Sequence, residues 1–312
     1  MTTMQIITNL EQEKLDKRPC VIAMGTFDGL HRGHLDVIRS AAGYAKALDL
    51  QLAVFTFSNH PYACILPDHV PPALITQEEK MLLLEELGVD LLIDIPFDWK
   101  LASLKADEFL ENLEKFDYRC LACGENFTYG YCGLGDTHTL KEAGEEKGFD
   151  VIVRPLLTLE GTVISSTAIR TAIAEGRLEE AAEMLGRPYS VEGVVQQGFK
   201  RGRKLGFPTA NLYVDRKKSA LPPPGVYAMR VQDGDTFYDG VGNLGINPTF
   251  DDVPYEVLEV HLFDCDRDLY GLHLKTTFCR FLRPEAKFGS LEELVAWIGQ
   301  DKEEALDYFR KE

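Results

Sequence analysis

The feature that most limits how this chain can fold is a change of hydrophobic period partway along it. The first half carries the short apolar runs CVIAMGTF (20–27), QLAVFTF (51–57), DLLIDIPF (90–97), RCLACG (119–124) and FDVIVRPL (149–156). Each is apolar at consecutive positions and rich in branched or aromatic residues, so both faces must be buried, as in a parallel sheet covered by helices. Helical patterns lie between them: HLDVIRSAAGYAKALD, QEEKMLLLEELG and ADEFLENLEKF. Thr76 fits the cap of the second helix and Gly88 its left-handed stop. STAIRTAIAEGRLEEAAEMLG then predicts two short helices, broken at Gly176 and ended at Gly186. Beyond it the period drops to two in YSVEGVVQ, GVYAMRVQ, FYDGVGNL, YEVLEVHLF and LHLKTTFCRFL, with turns between, and a helix SLEELVAWIGQDKEEALDYF follows. Short alternating strands separated by turns predict a closed β-barrel. The expected organisation is a doubly wound parallel α/β domain over residues 1–185 and a β-barrel domain with a C-terminal helix over 186–312. A length of 312 residues accommodates both, at about 100–200 residues per domain.

Charge narrows the partners. The formal net charge is −17, which opposes nucleic-acid binding, since that needs a basic stripe to displace phosphate counterions. Small anionic substrates remain compatible through local basic groups. Seven cysteines, an odd number spread from Cys20 to Cys279, fit a reducing cytoplasm better than a disulfide framework. The opening MTTMQIITNLEQEKLD lacks the basic-then-apolar order of a secretion signal. No apolar run approaches the roughly 20 residues of a membrane span. The sequence does not specify an oligomeric state.

Two stretches of the first half carry chemistry. GTFDGLHRGH (25–34) begins where the first strand run ends and leads into a helix. Gly25 and its neighbours, including Phe27, let backbone approach a ligand, and a helix N-terminus offers unpaired N–H groups to phosphate. His31 and His34, three apart, share a face on a first helical turn and can address one anion. ISSTAIR (164–170) follows the last strand of this half. Ser165 or Ser166 can cap the next helix, with Arg170 one turn in and able to reach the same anion.

In the second half, GFKRGRKLGFPTANL (198–212) spaces Gly198, Gly202 and Gly206 four apart among Lys200, Arg201, Arg203 and Lys204. That composition suits a basic loop over phosphates, and Pro208 opens the PTAN that follows. Thr209 and Asn211 are two apart, so an extended strand faces both to one side. Their oxygens are hard ligands suited to Mg²⁺. On YEVLEVHLF the same alternation puts Glu259 and His261 on one face. The pair Cys120 and Cys123, with Cys132 and His138 downstream, reads as buried thiols, because residues three apart on a strand point to opposite sides. Trp99 and Trp297 stand outside any motif, and KEAGEEK reads as a solvated helix face.

These motifs carry a resemblance. GTFDG before HxGH, with the later ISSTxxR, resembles the FAD synthetase variety of nucleotidyltransferases. The likeness continues through TFSNHP (56–61) and GENFTYGYCGLGD (124–136). GxxxGRxxGFPTAN, PPPGVYA, GVGNLGINPTF, EVHLFDCDRDLYG and FLRPEAKFGSLEEL resemble riboflavin kinase. Together, and in this order, they resemble the bacterial bifunctional riboflavin kinase/FAD synthetases over nearly the whole chain. The resemblance implies that 186–312 phosphorylates riboflavin to FMN with ATP, and that 1–185 adenylylates FMN to FAD with release of pyrophosphate. It implies that Gly25, Phe27, His31, His34, Ser165, Ser166 and Arg170 hold ATP, and that Asn59, Gly124, Asn126, Phe127 and Gly130 border the flavin and nucleotide. It makes Gly198, Gly202, Arg203, Gly206, Pro208, Thr209 and Asn211 the kinase nucleotide site, with Mg²⁺ on Thr209 and Asn211, and Glu259 the base.

Two positions depart from the family pattern: Asn59 stands where Pro is common, and Asn126 where Asp is common. The second exchange removes a charge and keeps a hydrogen-bonding oxygen. The competing readings are a riboflavin kinase whose first half binds nucleotide without transferring adenylate, and a flavin-binding regulator without catalysis. FAD from riboflavin and ATP marks the bifunctional enzyme, FMN alone the kinase with a silent first half, and neither product the regulator.

Overall fold

A computed structural model describes residues 3–12, 18–196, 209–247 and 255–311. The chain divides into two compact units. The first comprises Met1–Pro71 with Thr76–Ser166, and the second Pro72–Ile75 with Thr167–Glu312.

The first unit is a parallel sheet wound on both sides. Its strands are β1 (Gln5–Ile7), β2 (Cys20–Met24), β3 (Gln51–Phe57), β4 (Leu91–Ile95), β5 (Tyr118–Gly124) and β6 (Asp150–Arg154), in the order β1-β4-β3-β2-β5-β6. Every residue of β2 and of β4 is buried, which is why these segments read as unbroken apolar runs. The helices are α1 (Arg32–Ala47), α2 (Tyr62–Ile65), α3 (Gln77–Glu86), α4 (Trp99–Ala102), α5 (Ala106–Glu114) and α6 (Thr137–Lys147), followed by the small hairpin β7 (Thr158–Leu159) and β8 (Thr162–Val163). α1 buries Val37, Ile38, Ala41 and Ala45, an apolar stripe at helical spacing. Thr76 caps α3 by accepting from the Glu79 amide, and Gly88 follows it at φ +78, as its sequence predicts. Strand order reverses at β2: the chain steps outward to β3 and β4, then returns to lay β5 on the opposite side. Loops leaving the carboxyl ends of β2 and β5 therefore flank the switch point, where ligands bind in open sheets of this kind.

The second unit opens with α7 (Ser166–Ala174), whose first residue the division leaves with the first unit, and α8 (Leu178–Leu185), separated by Gly176 at φ +76 and ended by Gly186 at φ +79. It continues with β9 (Ser190–Gln196), β10 (Ala210–Val214), β11 (Gly225–Asp233), β12 (Thr236–Asn247), β13 (Tyr255–Leu262), β14 (His273–Pro284) and α9 (Leu291–Phe309). The strands close into an antiparallel barrel in the order β10-β13-β12-β11-β14-β9. Thus the expected α/β and barrel architectures both form. Some ends differ from the apolar runs that announced them. β2 stops at Met24 although the run extends to Phe27, because Gly25 turns the chain into the loop. The edge strand β1 is too short for its period to register.

Helix α9 holds the outer wall of the barrel. Ala305, with Leu306, Tyr308 and Phe309, packs on Val226, Ala228, Val241 and Phe263. Arg283 on β14 donates two hydrogen bonds of 2.7 Å to the Asp301 carboxylate on α9, under the rings of Trp297 and Phe288. Asp301 is only 5% exposed, so losing the guanidinium strands a buried charge. Arg283→Met is expected to destabilise the barrel by about 3–5 kcal/mol, and Arg283→Met with Asp301→Leu to recover most of it. Thermal unfolding checks both, and an unchanged single variant would contradict the assignment.

Candidate active sites

At the carboxyl end of β2, Gly25 leads into a tight loop. A Cβ there would lie 2.9 Å from the Phe27 ring, so glycine is what lets Phe27 fold back. Phe27 and Leu30 hold φ of +48 and +42, a region that costs a non-glycine residue energy and recurs at functional sites. The Phe27 ring meets His34 edge-on at 5.3 Å, and His34 stacks on His31 at 3.5 Å between centroids. His31 is the cap of α1, its Nδ1 accepting from the His34 amide at 3.3 Å. That contact fixes the tautomer: the ring proton of neutral His31 sits on Nε2. The two histidines thus share one face at a helix N-terminus, as their spacing predicts.

His34 is held well below the ordinary histidine value, first by burial, then by His31 and Lys80. Its Nδ1 is buried with no hydrogen-bond partner among the described residues. A neutral ring cannot act as a standing cation, so in the free protein His34 offers hydrogen bonding rather than charge.

Ser166 donates to the Asp28 carbonyl at 3.0 Å. Its hydroxyl proton is thus spent on the loop after β2, while a serine cap would use the hydroxyl oxygen as an acceptor. Ser165 is adjacent in the chain. Arg170 falls in the second unit, where its Nε donates to the Pro72 carbonyl at 2.7 Å.

Asn59 bridges two strand ends. Its Oδ1 accepts from the Phe97 amide at 2.6 Å and its Nδ2 donates to the Phe97 carbonyl at 3.1 Å. The departure from proline at this position therefore carries a structural pair of bonds. After β5, Gly124 accepts from the Phe127 amide and lies against Asn126, and Phe127 stacks on Tyr129. Gly130, at φ +73, passes so close to α5 that a Cβ would lie 2.7 Å from the Ala106 nitrogen. The thiols of Cys120 and Cys123 are pushed up to about 12, chiefly by burial.

In the barrel the pairing register builds a second constellation. On β10, Ala210, Leu212 and Val214 are buried while Asn211 is half-buried and Tyr213 exposed, so Asn211 belongs to the outer face. Asn211 pairs with Glu259 on β13, and Glu259 with Asn243 on β12. Directly opposed residues have Cβ atoms about 4.5–5.5 Å apart, so three polar side chains stand in a row. Thr209 joins them, the Asn211 amide lying 3.5 Å from its hydroxyl. The Asn243 amide donates to Glu285 at 3.3 Å. Val241, two residues along from Asn243, lies in the α9 contact, so the row borders the helix. Gly198, Gly202, Arg203, Gly206 and Pro208 lie outside the described residues.

Sequence reasoning missed Asn243, Glu285, Lys80 and Asp94. Asn243 stands within GVGNLGINPTF, yet only strand register reveals that it neighbours Glu259. Lys80 and Asp94 read as a helix charge and a strand interruption until their burial is seen.

Residues 13–168 match the family model described as FAD synthetase, and residues 185–309 the one described as riboflavin kinase. The bifunctional riboflavin kinase/FMN adenylyltransferase of Bacillus subtilis is 38% identical over 300 residues, covering 95% of this chain and 94% of that protein. Its Escherichia coli K12 counterpart is 37% identical over 306 residues, covering 97% and 96%. A crystal structure described as a macrolide-efflux protein from Streptococcus pneumoniae aligns with a TM-score of 0.87 at 31% identity, covering 96% of this chain and 97% of that one. Among the described residues, no helix is long and apolar enough to cross a membrane.

The state of His34 is directly measurable. At pH 6.5, where an exposed histidine is half protonated, NMR should find the His34 ring neutral. Because its folded value is depressed, the unfolded chain takes up the proton first. Stability should therefore be highest above the ordinary histidine value and fall as pH drops through it. A half-protonated His34 at pH 6.5 would contradict this account.

Proposed function

Because the chain belongs to the bifunctional riboflavin kinase/FMN adenylyltransferase family, we propose that it phosphorylates riboflavin to FMN at the outer face of its barrel and adenylylates FMN to FAD at the switch point of its parallel sheet. The observation that carries this reading is the pairing of Asn211 with Glu259 in the half that matches riboflavin kinase, while the half that matches FAD synthetase carries the stacked histidines. Both domains, and bifunctional relatives over nearly the full length, favour two activities over a kinase with an inert first half.

The two reactions ask different things of the protein. In the kinase half the nucleophile is the neutral 5′-hydroxyl of riboflavin. Glu259 accepts its proton as the oxygen bonds to the γ-phosphorus of ATP and ADP departs. Asn211 and Asn243 flank that carboxylate in the strand register and can hold it by hydrogen bonding. The hydroxyl of Thr209 and the amide oxygen of Asn211 are hard donors beside the carboxylate, and this set fits Mg²⁺. When bound, Mg²⁺ would offset phosphate charge. Arg203 and the glycines of 198–206, with Pro208, are assigned to the nucleotide on the sequence resemblance.

In the first half the nucleophile is the FMN phosphate, already an anion, and no base is required. One P–O bond forms at the α-phosphorus of ATP as the bond to pyrophosphate breaks. His31, His34, Ser165, Ser166 and Arg170 are assigned to orienting the phosphates, and Gly25 and Phe27 to shaping the loop that receives them. Gly124, Asn126, Phe127 and Gly130 are assigned to the flavin and nucleotide edge. Asn59 contributes indirectly, by fixing the loop after β3. The functional division we assign runs between 1–185 and 186–312. The partners are riboflavin, FMN and ATP, and the cysteine content supports a cytoplasmic setting.

The test is to incubate the protein with riboflavin, ATP and Mg²⁺ and resolve FMN from FAD by chromatography. FAD is expected; FMN alone would favour a kinase with a silent first half. Glu259→Gln should lower FMN formation at least about 100-fold, the usual range for losing a general base, and leave conversion of supplied FMN to FAD intact. Equal loss of both would contradict the assignment. Excess EDTA should abolish both activities, and full kinase activity in its presence would remove Mg²⁺ from the scheme.

A further inference from the structure

At the carboxyl edge of the first sheet the protein leaves buried polar groups under-satisfied. Nδ1 of His34 and Oδ1 of Asp94 are both buried without a hydrogen-bond partner among the described residues. Between them in influence is Lys80, on α3 and only 5% exposed, whose ammonium donates to the Phe57 carbonyl at 3.0 Å. Pairing places these groups under the loop after β2. Met24 is in register with Phe55, so Phe57, the end of β3, is level with Thr26. The Thr56 hydroxyl donates to the Thr26 carbonyl at 2.9 Å, and Thr56 is in register with Asp94. Gln77, one turn before Lys80, donates to the other Asp94 oxygen at 2.5 Å. Lys80 feels Asp94 and Asp28 and acts in turn on His34.

A lysine that merely stapled α3 to β3 would not leave its surroundings so incomplete, because buried polar groups in native proteins are nearly always paired. They concentrate at the carboxyl edge of the sheet, beside the loop after β2, where a ligand bound in an open sheet of this kind would supply the missing partners, which indicates a role in binding or transfer. We propose that Lys80 is a further cation of the adenylyl-transfer site, its buried ammonium stabilising the negative charge that builds around the α-phosphorus of ATP. The step is the one already described: the FMN phosphate oxygen bonds to that phosphorus, the bond to the β-phosphate oxygen breaks, and pyrophosphate leaves with the electron pair. Lys80 keeps its proton throughout. Being fixed and shielded from water, its charge needs no rearrangement as the transition state forms. The Phe57 carbonyl holds the ammonium in place, and Asp94, its other oxygen taken by Gln77, supports the ammonium's charge from a distance. This inference rests on reading the first half as an FMN adenylyltransferase.

The test uses the full-length chain as Lys80→Met and as Lys80→Met with Asp94→Asn. The second variant removes the pair together and so leaves no stranded charge. Both should lower kcat for FAD formation from FMN about 100-fold, the scale for losing one preorganised charge-stabilising group, with a smaller change in KM for ATP. Riboflavin phosphorylation by the same molecules should be unchanged. Recovery of FAD formation in the double variant to within about threefold of wild type would overturn the proposal, since Lys80 would then act only as the structural partner of Asp94. Wild type that makes no FAD would instead overturn the adenylyltransferase reading. Should the variants fail to fold, NMR of the wild type decides: α,β-methylene-ATP with Mg²⁺ should shift the Lys80 ammonium signal and raise the His34 pKa. Binding of that analogue with neither change would also overturn the proposal.

Discussion

Backbone pairing between neighbouring strands is the interaction on which both candidate sites depend. In the first unit, parallel pairing on either side of β2 sends two loops out from the same edge of the sheet. Parallel strands need long crossovers, and these carry helices whose N-termini return to that edge. His31 caps one of them. In the second unit, antiparallel register sets Asn211, Glu259 and Asn243 side by side. A slip of one residue would turn Glu259 into the barrel interior and dismantle the row. Bulges between Val226 and Tyr227 and between Ala228 and Met229 bend the wall of the barrel, while the Arg283–Asp301 pair fixes α9 on its outside.

The two sites solve opposite electrostatic problems. In the candidate kinase site the proposed base, Glu259, has amides as its register neighbours. The candidate adenylyl-transfer site, as proposed, would receive two phosphorylated molecules in a protein of net charge −17. Burial, with His31 and Lys80 nearby, keeps His34 neutral in the free protein, while Lys80, lowered by burial and supported by Asp94 and Asp28, remains the standing ammonium beside it. Asp94 is shifted up by burial, against the pull of Lys80 and Gln77. Such an arrangement costs folding stability, and arriving phosphate charge relieves it, because an anion favours the protonated forms of both Lys80 and His34.

Much of the fold was legible because its strands and helices have distinct periods. The apolar run of β3 matches the strand end to end, and Thr76, Gly88, Gly176 and Gly186 mark helix boundaries by residue type alone. The motif residues His31, His34, Thr209, Asn211 and Glu259 were also legible, from spacing or resemblance. What the sequence withheld was anything set by register or burial. Asn243 gains meaning only opposite Glu259. Lys80 sits in QEEKMLLLEELG like a surface charge, and nothing local says that its ammonium is enclosed. The donation from Ser166 to the Asp28 carbonyl is invisible in ISSTAIR, and Asn59 reads only as a departure until Phe97 is seen across from it.

One chain with both domains is expected to perform two different transfers from ATP. The most direct measurement follows the phosphorus. With riboflavin and Mg²⁺, label from the γ-position of ATP should enter FMN and persist in FAD, while label from the α-position should enter FAD alone. Flavin that acquires γ-label but never α-label would contradict the claim of two transfers, and flavin that acquires neither would contradict both sites.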